Sequence, residues 1–100
     1  MSQPHYTWTL GKLVFHLQQG DLFQAPVEAI VNSEQSDFLL DCGGRTISGQ
    51  IHRRWGSQVQ AELNQQTGGA VLPPGTVLAT SGDPYAAIFH AGFQIGRAHV

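Results

Sequence analysis

The sequence predicts an α/β layered domain. Three observations carry this: short segments of strand period, one long stretch whose apolar residues recur every fourth position, and the alternation of the two kinds along the chain. One hundred residues make a single domain over 1–100, and 41% hydrophobic content supplies a modest core.

The elements follow in order. Residues 8–10 and 12–18 read as strands separated by Gly11. In the second, Leu13, Phe15 and Leu17 alternate with Val14, His16 and Gln18, a period of two with one apolar face. Gly20-Asp21 closes that segment, and Pro26 marks a short connection with room for a helical turn. Residues 29–32 form a further strand, with Ile30 and Val31 apolar on both faces, as expected in a sheet covered on both sides.

Helix comes next. Ile47, Ile51, Trp55, Val59 and Leu63 trace one apolar stripe. Gly56 falls inside the stripe and predicts either two helices or a kink, with Ser57 as candidate cap of the second piece. Thr67-Gly68-Gly69 ends it. Pro73-Pro74-Gly75 turns the chain into a strand over 76–80, Ser81-Gly82-Asp83-Pro84 turns it again, and 86–90 forms the last strand, within a hydrophobic strand-like run that reaches Phe93. No helix signal follows in 94–100, from which we expect the front part of a longer domain or an unusually minimal version of its fold.

Composition excludes several function classes. The net charge is −2, and Lys12, Arg45, Arg53, Arg54 and Arg97 form no basic stripe of the kind that holds nucleic acid. A phosphate-bearing ligand must then be held by backbone N–H groups rather than by a cationic field. Cys42 is the single cysteine, which excludes an intrachain disulfide and fits a reducing compartment. The N-terminus is polar, and no apolar run approaches the roughly 20 residues of a membrane span. The chain reads as soluble and cytoplasmic.

The chemistry concentrates between Gly20 and His52. Asp21, after a strand and a glycine, suits either an acceptor for an adenine amino group or ribose hydroxyl, or a turn acid capping a helix. Asn32 ends a buried strand, where an amide can orient a ribose hydroxyl or a water, or tie down the next loop. Asp41-Cys42-Gly43-Gly44-Arg45-Thr46 leads into a helix N-terminus. The glycines let a ligand approach the backbone, Thr46 or Ser48 can cap the helix or donate to phosphate, and the helix dipole favours an anion. An ordinary capped helix behind a Gly-Gly turn has the same sequence. His5, His16, His52, His90 and His99 make no metal-ligand spacing, nothing resembles a nucleophile elbow, and no cofactor is implied.

Taken in order, these pieces resemble the N-terminal portion of a macro domain, the ADP-ribose-binding α/β/α module. Gly20-Asp21-Leu22 resembles the family's Gly-Asp-Ile, and Glu28-Ala29-Ile30-Val31-Asn32 its Asp-Ala-Ile-Val-Asn strand. Ile47-Ser48-Gly49-Gln50-Ile51-His52 resembles Val-Asp-Gly-Ala-Ile-His, and Ile88-Phe89-His90-Ala91 resembles Ile-Ile-His-Ala. The segment 76–82 resembles the Gly-x-Ala-x-x-Thr-x-Gly region. The resemblance implies a three-layer α/β/α fold with a mixed sheet, incomplete at the C-terminal end.

The resemblance also implies a ligand, ADP-ribose or an ADP-ribosylated substrate. Asp21 would read the adenine with the Leu22 N–H nearby, and Asn32 would face the distal ribose. Gly43, Gly44, Arg45, Thr46, Ile47 and Ser48 would wrap the diphosphate. A hydrolytic member would hold its water with Asn32 or Gln35. The chain departs from the pattern in reading Asn32-Ser33-Glu34-Gln35 where the family shows Asn-Ala-Ala-Asn. Two further departures are a two-glycine loop and Ser48 in place of an acid, and the family's second glycine-rich loop has no counterpart. Binding is the first expectation and hydrolysis the second. A scaffold without ligand is the third, and it would leave Ile88 and Phe89 uncovered for self-association.

Overall fold

The computed structural model describes residues 5–43 and 45–93. Among these residues five strands and two helices follow one another as β1 (His5–Leu10), β2 (Leu13–Gln18), β3 (Ala29–Gln35), α1 (Ile47–Trp55), α2 (Ser57–Thr67), β4 (Val77–Gly82) and β5 (Tyr85–Phe93). A 3-10 turn over Leu22–Gln24 fills the connection marked by Pro26.

The main sheet has the order β3-β5-β4 and is mixed. β5 runs parallel to β3, with Asn32 opposite His90, and antiparallel to β4. The parallel pair needs a crossover, and α1 and α2 supply it. β3 alternates strictly: Ile30, Asn32 and Glu34 are buried, whereas Val31, Ser33 and Gln35 are exposed. The expectation that Ile30 and Val31 both lie under cover is therefore corrected. Ile30 is 2% exposed and Val31 is 65% exposed. Among the described residues one face of the sheet is covered, and none of them supplies a second helical layer.

On the covered face, Ile30 and Ile88 meet Ile51, Val59 and Leu63 of the helices, with Phe38 from the loop after β3. Each such side chain contributes about 1.5–3 kcal/mol on leaving water. Ile88 is fully buried, so it forms no exposed patch with Phe89, which is 38% exposed. Phe38 is placed by a left-handed backbone (φ 54°), and its ring lies against Gly92, where a Cβ would stand 2.6 Å from Cζ.

Gly56 does divide the helix. It has φ 61° and serves as C-cap of α1 and N-cap of α2. The cap expected from Ser57 is not made; Ser57 is the first residue of α2, which has no side-chain cap. Gly68 closes α2 in the left-handed conformation, its N–H donating to the Asn64 carbonyl. The end of α1 packs beside the turn after β4, where Trp55 Nε1 donates to the Asp83 carbonyl at 3.0 Å.

β1 and β2 form a separate antiparallel hairpin. Its register puts Tyr6, Trp8 and Leu10 opposite Leu17, Phe15 and Leu13, so one face is wholly apolar, and all six side chains are exposed. Among the described residues no helix is long and apolar enough to cross a membrane.

Candidate functional site

Because β3 and β5 are parallel, their carboxyl ends open at the same edge of the sheet. Ligand clefts of open α/β sheets form at such an edge. A cavity of about 610 Å³ lies here. Asn32, Glu34 and Gln35 of β3 line it, with Phe93 at the end of β5. The loop after β3 adds Asp37, Asp41 and Cys42, and the start of α1 adds Thr46, Ile47 and Ser48.

Thr46 makes the helix start. Its backbone is extended (φ −95°, ψ 160°), and Oγ1 accepts from the Gly49 N–H at 2.9 Å. The same hydroxyl donates to Asp41 Oδ2 at 2.8 Å, which clips the loop to the helix. The Gln50 N–H is taken by the Thr46 carbonyl. The N–H groups of Ile47 and Ser48 lie ahead of these bonded positions, in the turn where an α-helix leaves its donors unsatisfied.

A buried polar cluster forms part of the cavity wall. Glu34 accepts from Asn32 Nδ2 at 2.5 Å and from the Ser48 hydroxyl at 3.0 Å. Ser48 Oγ in turn accepts from the Asp41 N–H at 2.9 Å. On the other side, His90 Nδ1 stands 3.5 Å from Glu34 Oε2, and His90 Nε2 pairs with Thr80 Oγ1 at 2.8 Å. His90 is 0% exposed and the Glu34 side chain 3%.

The expected site residues divide. Asn32, Gln35, Thr46, Ile47 and Ser48 come together in the cavity. Arg45 is exposed and does not belong to its lining. Gly43 turns its carbonyl onto Gly49 of α1. Gly44 lies outside the described residues. Asp21 and Leu22 border a second depression of about 360 Å³ with Gln18 and Pro26. There Asp21 caps the 3-10 turn, Oδ1 accepting from the Phe23 N–H at 2.9 Å. Among the described residues no group of three His, Cys, Asp or Glu side chains is placed to hold a metal ion.

Glu34 and His90 are the members that residue-by-residue reading passed over. The signal was available: in a period-two strand, position 34 shares the face of Ile30 and Asn32, so a charge there is buried and needs partners.

No family model matches the chain. A macro domain-containing protein of Streptomyces coelicolor is 38% identical over 68 residues, which is 65% of this chain and 38% of that protein. One from Streptomyces griseus is 38% identical over 71 residues, covering 68% of this chain and 38% of its own length. Among solved structures, a mutant of the Oceanobacillus iheyensis macrodomain superposes with a TM-score of 0.72 at 26% identity, over 92% of this chain and 48% of that one. The chain thus spans less than half the length of each of these relatives. By fold and by sequence the chain corresponds to part of a macro domain.

Proposed function

We infer that the chain binds ADP-ribose or a closely related nucleotide in the cavity at the carboxyl ends of β3 and β5. The observation that carries this reading is the meeting of Asn32 with the first turn of α1 across one cavity, in a macro-domain fold. A diphosphate suits the N–H groups of Ile47 and Ser48, because a helix start presents donors and a positive dipole end. A ribose hydroxyl suits Asn32. The adenine falls to Asp21, whose Oδ1 is occupied by the Phe23 N–H and which offers Oδ2 to an amino group.

The test is calorimetric titration of the 100-residue chain with ADP-ribose, with Asn32→Ala and Asp21→Ala alongside. Saturable binding weakened about tenfold or more by Asn32→Ala supports the reading. A folded chain that takes up no ADP-ribose overturns it. Loss on Asp21→Ala assigns the adenine to the second depression; no change confines the nucleotide to the main cavity. Because Asn32 and Gln35 both border the cavity, the same samples are assayed for release of ADP-ribose from a modified protein, which tests hydrolysis separately.

A further inference from the structure

We propose that Glu34 is the positioning residue of this site and sets its selectivity: by holding the amide nitrogen of Asn32, it leaves the Asn32 carbonyl oxygen to face the ligand. The inference rests on the ADP-ribose reading for the identity of the ligand, and on the buried cluster for the orientation.

Each hydrogen bond to Glu34 is one that a carboxylate can accept, and among the described residues His90 Nδ1 stands near it without a hydrogen-bond partner. Asn32 Nδ2 reaches Oε2, the Ser48 hydroxyl reaches Oε1 and Oε2 at 3.0 and 3.2 Å, and His90 Nδ1 lies 3.5 Å from Oε2. An amide offers nitrogen as donor and oxygen as acceptor, so a carboxylate beside it selects the rotamer with nitrogen inward. Among the described residues nothing donates to Asn32 Oδ1. The cavity therefore meets an acceptor at this point, and a ligand group here must bring a hydrogen, as a ribose hydroxyl does. A phosphate or carbonyl oxygen would be rejected.

Glu34 is well placed to do this because it cannot turn away. It is buried on β3 two residues from Asn32, both side chains point to the same face, and His90 stands directly opposite Asn32 on β5. Through Ser48 the same carboxylate reaches the Asp41 N–H, so the strand end and the loop are set against one fixed group.

The experiment compares Glu34→Met with Glu34→Gln. Methionine keeps the bulk and removes the acceptor. Glutamine keeps an acceptor oxygen toward Asn32. The first readout is affinity for ADP-ribose against ADP, which lacks the distal ribose. We expect Glu34→Met to weaken ADP-ribose about tenfold while leaving ADP nearly unchanged, and Glu34→Gln to stay within about threefold of the parent for both. In a Glu34→Met, Asn32→Ala double variant the losses should not add, since both remove the same hydrogen bond.

The second readout needs no ligand. The side-chain NH₂ resonances of Asn32 should move toward those of a free amide in Glu34→Met and hold in Glu34→Gln. Equal weakening of ADP and ADP-ribose, or an unmoved Asn32 NH₂ signal in Glu34→Met, would overturn the assignment. A parent chain that binds neither nucleotide defeats the functional reading, and the NH₂ signal still decides the orientation.

Discussion

The carbonyl oxygen of Gly43 lies against the Cα of Gly49, in the space a Cβ would occupy, and Thr46 Oγ1 closes the same spot at 3.2 Å. The loop that borders the cavity is thus seated on the first turn of α1 through a glycine. Gly49→Ala tests this. In an unobstructed helix the change stabilises by about 0.5–1 kcal/mol. Here the obstruction is backbone rather than a flexible side-chain tip, so we expect net destabilisation of about 1–3 kcal/mol. Chemical denaturation measures it, and a more stable variant would mean that the loop sits elsewhere.

Thr46 carries two tasks on one hydroxyl, capping Gly49 and holding Asp41. Thr46→Ala should cost about 1 kcal/mol or somewhat more, the usual value of a lost cap. Thr46→Ser keeps both hydrogen bonds and should lose only a few tenths of that. The urea midpoints of the two variants separate the hydroxyl from the methyl group. Equal loss in both would assign the effect to packing.

Much of this architecture was legible in the chain, and the parts that were not have physical reasons. The stripe from Ile47 to Leu63 gave both helices and the break at Gly56, because a glycine inside an apolar period is a strong local signal. Strand cores were found, and the apolar run of the last strand reaches Phe93 as the sequence reads, but β3 runs on past Asn32 to Gln35. That end of β3 is fixed by the β3–β5 ladder, a contact between residues more than 50 positions apart that no local pattern encodes. Val31 misled because an apolar residue is compatible with either face; only the sheet decides which is covered. In the site, Asn32, Thr46 and Ser48 were found singly, whereas the bonding of Asn32 and Ser48 to one Glu34 needed the fold to bring β3 against α1.

Glu62 joins α2 to β4 and should make that joint sensitive to acid. Oε2 accepts from the Ser81 hydroxyl at 2.6 Å and Oε1 from the Ser81 N–H at 2.9 Å, with Gln58 adding a longer bond. The Ser81 hydroxyl first, then its N–H, hold the carboxyl below its ordinary range. A lowered folded pKa means that the stabilisation is complete above the unfolded value, about 4.3 for a glutamate. It is lost as pH falls through the folded value. Glu62→Gln should therefore lower the thermal midpoint at pH 7, and the gap to the parent should close in acid. A gap that persists unchanged below pH 3 would show that charge plays no part.

The cavity is acidic for a place proposed to hold two phosphates. Glu34, Asp37 and Asp41 border it, and among the described residues no Lys or Arg is in its lining. Glu34 is engaged by its own donors, but Asp41 is exposed beside the helix start that would receive the phosphate. Its charge opposes the ligand while its Oδ2 serves Thr46. Asp41→Asn removes the charge and keeps an oxygen for that hydroxyl. ADP-ribose affinity should then rise, by roughly three- to tenfold at low salt, and the gain should shrink as salt screens the charge. For the same reason the parent should bind more tightly as salt increases, opposite to a site built from arginines. Titrations across a salt series read both effects. Weaker binding in Asp41→Asn at every salt concentration would mean that the Asp41 carboxylate serves the ligand itself, by accepting from a hydroxyl.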